Sequence, residues 1–176
     1  MKRNIAQTLI VAAAVAFASQ VDAADKMSDK KDTRPDAAFV MEAAHDGHAE
    51  VEHGKLAQKN GSSAAVKEFA QRMVTDHSKA NTELAGIAKK LGITVPADMD
   101  DKHKAEQKKL AALKGDKFDD EYAKHMVQAH ESAVTLFQKQ AKHGEAKELR
   151  DFAAKTLPTL EEHLKAARAL KDGKGK

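Results

Sequence analysis

Two short stretches carry the residue types best suited to chemistry. Met73-Val74-Thr75-Asp76-His77 is echoed by Met126-Val127-Gln128-Ala129-His130. Each sets a thioether and an imidazole four residues apart, about one turn of an α-helix, so sulfur and ring share a face. Imidazole is a ligand for borderline transition metals, and thioether is one for copper(I). Both pairs also fall on the apolar faces of their segments, where an ionisable ring needs a partner because burial without one is costly.

At about 100° per residue, four segments each show an apolar stripe. His77 sits in the middle of the stripe Val66, Phe69, Ala70, Met73, Ala80, Leu84, Ile87, Ala88 and Leu91. His130 lies inside the edge of Phe118, Tyr122, Met126, Ala129, Ala133, Phe137 and Ala141, and His163 lies within Leu149, Phe152, Ala153, Leu157, Leu160, Leu164, Ala167 and Leu170. The first segment is less regular. Phe39, Val40, Ala43, Gly47, Val51, Gly54 and Ala57 form its stripe, Glu50 falls on it, His45 points away, and His48 and His53 sit at the margins. Each helix therefore sends one ionisable group inward: Glu50, His77, His130 and His163. Counted from the turns at about 1.5 Å per residue, all four fall near mid-height.

Three histidines and a glutamate from four helices make a donor set for zinc, copper, iron or manganese, with Met73 and Met126 as soft donors if the metal is copper(I). The competing reading is a metal-free interaction bundle at the cell envelope, its core histidines hydrogen-bonded and its methionines filling space. A ferritin-type di-iron site needs Glu-x-x-His on two helices. Glu42-x-x-His45 and Glu50-x-x-His53 both lie on the first, which argues against ferroxidase chemistry. His45, His48 and His53 among Glu42, Asp46 and Glu52 read as a solvated face, and His103 beside Asp100 and Asp101 as charged surface. There is no Gly-rich phosphate loop, nucleophile elbow or triad pattern, so nothing here argues for an enzyme.

The elements that must position these groups follow from composition and breakers. The chain has 176 residues, 41% hydrophobic and 4% aromatic, with three prolines, nine glycines and no cysteine, an all-α composition folding without disulfides. Pro35 opens a first helix that ends near Lys59 at Asn60-Gly61. Ser62 or Ser63 caps a second, which reaches Leu91 before Gly92. A long connection follows, with a short helix capped by Asp101, running through Leu113 and closed by Gly115. A third long helix begins near Phe118 or Asp119 and stops at His143-Gly144. The fourth runs from about Glu145 to Leu170, with a kink expected at Pro158. Two hairpins joined by one long crossover predict an all-α, ferritin-like four-helix bundle over 35–170. A displacement of 83 residues lays Phe39 on Tyr122, Val51 on Val134, Gly61 on Gly144 and Phe69-Ala70 on Phe152-Ala153, a weak internal repeat consistent with two related hairpins.

Lys2 and Arg3, the apolar run Ile5 to Ala18 and the small-residue site Val21-Asp22-Ala23 read as a bacterial signal peptide over 1–23. The run is too short for a comfortable membrane span, so no stable membrane insertion is expected after cleavage, and the address is the periplasm or outside. Residues 24–34 read as a flexible leader and 171–176 as a disordered basic tail. With Lys2, Arg3 and Asp22 gone, 30 basic and 27 acidic residues become 28 and 26. The signs are interspersed, so no nucleic-acid partner is expected.

These residues resemble a bacterial family, the domain of unknown function 4142, exported proteins that often carry an outer-membrane label. The resemblance rests on Phe39-Val40 through Ala49-Glu50-Val51, Val66-Lys67-Glu68-Phe69-Ala70, Met73 through Asn81, Phe118-Asp119, Tyr122, Met126-Val127, His130, and Thr156 through Leu160 with His163-Leu164. It spans about Asp36 to Leu170. It implies a ferritin-like fold and marks Glu50, His77, His130 and His163 as motif positions. The chain departs from the pattern twice. Ala129 stands where an Asp commonly precedes the second His, implying a lost partner for His130. His53 stands at a commonly apolar position and implies an added ligand near Glu50.

Overall fold

Asn60-Gly61 and His143-Gly144 each end one long helix where another begins within a few residues, and those two turns decide the topology. The structure, a computed structural model, describes residues 34–173. Five helices follow in order: α1 (Pro35–Asn60), α2 (Ala64–Lys90), α3 (Asp101–Ala111), α4 (Gly115–His143) and α5 (Lys147–Lys171). No strand occurs among the described residues. α1 packs on α2, α4 on α5, α1 on α4 and α2 on α5, so the four long helices form a ring, with α3 laid across α1 and α4. This is the all-α, ferritin-like four-helix bundle expected. The signal segment 1–23, all of the leader but Arg34, and the last residues of the tail lie outside the described residues. No helix among the described residues is long and apolar enough to cross a membrane.

Local chemistry sets most boundaries, with three differences from expectation. Ser63 caps α2, its side chain accepting from Val66 N at 3.2 Å. Asp100, not Asp101, caps α3, accepting from His103 N at 2.9 Å, and α3 ends at Ala111 rather than Leu113. α4 starts at Gly115, ahead of Phe118. Gly115 has φ +60°, a left-handed backbone that glycine adopts without strain, and so turns the chain into α4 instead of closing α3. α5 runs as one helix through Pro158. The Ala154 carbonyl that Pro158 cannot bond belongs to an exposed residue, open to solvent.

Two aspartates lock the hairpin turns. Asp119, near the start of α4, accepts from Ser62 N at 3.0 Å, Ser63 N at 2.8 Å and Ser62 Oγ at 2.7 Å, holding the α1–α2 turn. Asp36, at the start of α1, accepts from Glu145 N at 3.0 Å, Ala146 N at 2.7 Å and Gln140 Nε2 at 2.8 Å, holding the α4–α5 turn. Asp36 and Asp119 are 83 positions apart, as are the serine pair and Glu145-Ala146, so the internal repeat extends to the clamps. Gly61 and Gly144, equated by the same repeat, are needed for space rather than for φ. A Cβ on Gly61 would stand 2.8 Å from the Ala57 carbonyl and 3.0 Å from Asp119 Oδ1, and one on Gly144 would stand 2.2 Å from Gln140 Nε2. The clamps also fix direction. The start of α1 meets the end of α4, and the start of α4 meets the end of α1, so neighbouring helices run antiparallel and the crossover traverses the bundle's length. Asp119→Ala is expected to cost about 2–3 kcal/mol, because charge-assisted bonds to two main-chain N–H groups vanish. Urea unfolding measures this, and an unmoved midpoint would show the clamp to be ornamental.

The apolar core is in two clusters. Phe39, Val40, Leu84, Phe137, Leu149, Phe152 and Leu160 fill one end. Val66, Phe69, Met73, Phe118, Tyr122 and Met126 fill the other. Along every long helix the two clusters are separated at one place: by Glu50 on α1, His77 on α2, His130 on α4 and His163 on α5. A buried polar layer divides the core.

Candidate metal centre

Helical periodicity brings the layer together. His77, His130 and His163 are 6%, 0% and 1% exposed and Glu50 is 4% exposed, so none can rely on bulk water for a partner. The three rings are mutual neighbours, with centroids 5.4 to 5.7 Å apart. One ring nitrogen of each lies within 4.8 Å of the other two.

The outward nitrogens are all committed. His77 Nδ1 is 2.9 Å from Glu50 Oε2, His163 Nε2 is 2.8 Å from Asp76 Oδ2, and His130 Nδ1 is 2.9 Å from the Met126 carbonyl one turn back on α4. Carboxylates and carbonyls only accept, so each of these nitrogens must carry the proton and donate. The remaining nitrogens, His77 Nε2, His130 Nε2 and His163 Nδ1, are buried with no hydrogen-bond partner. Each ring is thus held by an acceptor behind it, the outer arrangement that orients metal-bound histidines. Three nitrogens within 4.8 Å of one another all lie within about 2.8 Å of a common point, against roughly 2.0–2.1 Å for a zinc–imidazole bond, so side-chain adjustment below about 1 Å closes the set.

Glu50 has a double position. Its Oε2 holds His77, while Oε1 has no hydrogen bond and stands 3.4 Å from His130 Nε2 without hydrogen-bond alignment. Two acceptors facing each other at that distance have the spacing of two ligands on one tetrahedral ion, about 3.3–3.4 Å. Electrostatics follow from the same contacts. Burial would raise the Glu50 carboxyl, but the charge and hydrogen bond of His77, with the His130 ring nearby, hold it down at about 2. Burial pushes His77 toward neutrality, yet the Glu50 charge and hydrogen bond prevail and its pKa is raised. Burial lowers His130, and burial with the His77 charge brings His163 down to about 4. In the metal-free state Glu50 and His77 form the ion pair, facing two neutral rings.

The layer has an apolar floor. The Phe69 ring lies 6.4 Å from both His130 and His163, and Met73 and Met126, one turn from His77 and His130, are fully buried in the same cluster.

Several other groups lie where sequence patterning did not put them. Asp76 reaches across to His163 on α5 rather than serving the adjacent His77, because successive residues on a helix point about 100° apart. Ala129 deprives His130 of nothing for the same reason: that ring takes its partner from its own helix. His53 is fully buried and does not join Glu50's cluster; its Nδ1 is 3.1 Å from His125 Nε2. His45 Nδ1 and His48 Nε2 donate to the carbonyls of Asp98 at 2.9 Å and Pro96 at 3.2 Å, pinning the crossover to α1 instead of facing solvent. His103 is part-buried between Asp100 and Asp46. Laying the crossover over α1 buries this whole face, and no periodicity within α1 signals it.

A search of curated proteins gives no match to this sequence. Among solved structures, the fold is similar to a DUF305 fragment from Deinococcus radiodurans, at 12% identity and TM-score 0.68, covering 77% of this chain and 94% of that one. It is similar also to CopM in a Cu(II)-bound form, at 17% identity and TM-score 0.67, and in a silver-bound form, at 19% and 0.63, each covering 78% of this chain and 96% of CopM. At such identities the likeness concerns the fold. The family model of the domain of unknown function 4142 matches residues 16–170, the whole bundle with its Glu50, His77, His130 and His163 layer, and the chain belongs to that family.

Proposed function

We propose that this protein binds a transition-metal ion in the bundle core through His77, His130 and His163, with Glu50 Oε1 as fourth ligand, and that it handles metal in the bacterial periplasm rather than turning over a substrate. The observation that carries this reading is the set of three buried ring nitrogens without partners, each on a ring whose other nitrogen donates to a fixed acceptor. Nitrogen donors select zinc, copper, iron or nickel over magnesium and calcium, and the full set of four ligands leaves no vacant position for catalysis. The copper- and silver-bound forms of the structurally similar CopM make copper the first candidate. Met73 and Met126 offer thioethers on the same helix faces should copper be reduced. The same orphaned nitrogens weigh against a metal-free interaction bundle, which needs them hydrogen-bonded.

The experiment is titration of tag-free mature protein with copper, zinc and iron salts, beside His77→Ala. One His77-dependent equivalent is expected in the wild type. His77→Ala should weaken it by more than the roughly 10–100-fold that loss of an outer partner costs. Because His77 is raised by its pairing with Glu50, below pH 6.5 metal must displace its proton: calorimetry there in buffers of different ionisation enthalpy should show proton release, and affinity should fall as pH falls. The absence of any equivalent that depends on His77 and weakens in acid would end the proposal. Asp76→Asn tests the outer contact. An amide can offer its N–H to His163 Nε2 and so reverse the ring's tautomer, and the affinity is expected to drop roughly 10–100-fold; unchanged affinity would show that Asp76 does not orient the ring.

A further inference from the structure

A second group of histidines and carboxylates lies outside the buried centre, in a cavity of about 160 Å³ between α1, α3 and α4. His53 Nδ1 and His125 Nε2 face each other at 3.1 Å, with the two rings edge to face at 4.8 Å. Glu106 Oε2 stands 4.0 Å from the same His125 nitrogen. His53 is fully buried, and its Nε2 makes no hydrogen bond, although the His103 main chain is near. The two facing nitrogens share one proton in a single hydrogen bond, and the other nitrogen of His53, Nε2, is the one left without a partner.

We propose that a second transition-metal ion binds here, ligated by His53 Nδ1, His125 Nε2 and a Glu106 carboxylate oxygen. Two imidazole nitrogens 3.1 Å apart are close to the spacing of ligands on one tetrahedral ion, about 3.3 Å, and the ion would displace the shared proton and lie to one side of the line between them, both rings turning toward it. Glu106, on α3 and partly exposed, stands 4.0 Å from His125 and would close the set by turning its side chain toward His53. The surroundings favour a cation. Glu42, Asp46 and Glu50 line the same cavity against a single lysine, Lys102. Burial and the Glu50 charge together hold the Asp46 carboxyl up at about 7, a mark of acidic groups crowded without enough positive charge. Burial, then the neighbouring His125 and His103, keep His53 down at about 4, so its ring is neutral and able to ligate. Two imidazoles and one carboxylate leave a position for water, so this ion exchanges faster than one in the core. Glu50 borders both places, lining the outer cavity and holding His77 in the core.

The outer site stands or falls separately from the inner one, and the test keeps them apart. Zinc is titrated into wild type, His163→Ala, the double variant H53Q/H125Q and Glu106→Gln, with folding checked by circular dichroism. Two equivalents are expected in the wild type. His163→Ala should keep one, accompanied by shifts of the His53 and His125 ring signals in NMR spectra. The double variant should lose that equivalent and retain the His163-dependent one. Should the double variant not fold, Glu106→Gln at the partly exposed wall decides, with roughly tenfold weaker binding of the outer equivalent expected. A full outer equivalent in the folded double variant, zinc-bound His163→Ala with unshifted His53 and His125 signals, or unchanged affinity in Glu106→Gln would overturn the site.

Discussion

His163→Leu is expected to remove the stabilising effect of the core metal and, in the same protein, to make the metal-free fold more stable. His163 is 1% exposed, and its Nδ1 has no partner. Removing a buried, half-satisfied polar group in favour of an apolar one of similar volume is commonly neutral or favourable, here by about 1–2 kcal/mol. Its partner Asp76 has a side chain 34% exposed and can return to water, so no charge is stranded. In the wild type, metal at about a thousand times its dissociation constant adds about 4 kcal/mol, a rise on the order of 10 °C in Tm. Thermal unfolding with and without metal checks both halves. Equal protection of wild type and variant would place the metal elsewhere, and a less stable metal-free variant would mean that the imidazole is satisfied after all.

The internal repeat gives an independent reason to read the polar layer as functional. Under the 83-residue displacement that relates the two hairpins, Glu50 falls on Ala133, His77 on Leu160, Gly47 on His130 and Ala80 on His163. Gly47, Ala80, Ala133 and Leu160 meet around a small cavity of about 20 Å³, adjoining Glu50 and His77. The same scaffold thus fills one of two equivalent levels with small and apolar residues and the other with four ionisable ones. Bundle architecture is satisfied by the first kind of filling. The second requires another explanation, and orphaned ring nitrogens supply it.

How far this was legible in the sequence depended on whether the signal was local. Pro35, Asn60-Gly61 and His143-Gly144 act within a few residues, and the helices stop where they stand. The stripes of α2, α4 and α5 predict their buried residues because a single face packs against the bundle. The inward direction of Glu50, His77, His130 and His163 follows from that periodicity, and their common level follows from counting residues from the turns. Contacts between helices were not legible. Nothing near Asp76 in sequence says that it reaches α5. His53 and His125 are drawn together only because α3 covers the α1–α4 groove, and α1, rich in alanine and glycine, has no strong stripe to show which of its sides is covered. The starts of α3 and α4 shifted because the roles of Asp100 and Gly115 depend on backbone angles that composition leaves open.

Glu50→Ala is expected to be the most damaging single change in the layer, for a reason opposite to that at His163. Glu50 is the one anion among three buried imidazoles, and it holds His77 directly. Breaking a buried pair from one side costs about 3–5 kcal/mol when a charge is stranded. His77 can escape by losing its proton, so the lower end, about 3 kcal/mol, is expected near neutral pH. The pH dependence distinguishes this account from a mere cavity. Glu50 is depressed from its ordinary 4.5 to about 2, so its contribution is complete above 4.5 and is lost as pH falls toward 2. His77 is raised above its ordinary 6.5, so its contribution is complete below 6.5 and is lost as pH rises through the folded value. The gap in stability between wild type and Glu50→Ala should therefore be widest between about pH 4.5 and 6.5 and narrow on both sides. His163 and His53, both brought down to about 4, act differently: they make metal-free protein of either kind less stable as pH falls from 6.5 toward 4. The difference between the two proteins, measured by urea unfolding across that range, carries the pair together with the relief of Asp46, whose carboxyl the Glu50 charge helps to hold up. A gap independent of pH would mean that Glu50 contributes volume rather than charge. In that case its carboxylate would be neither the counter-ion of His77 nor a ligand with a charge to offer a metal.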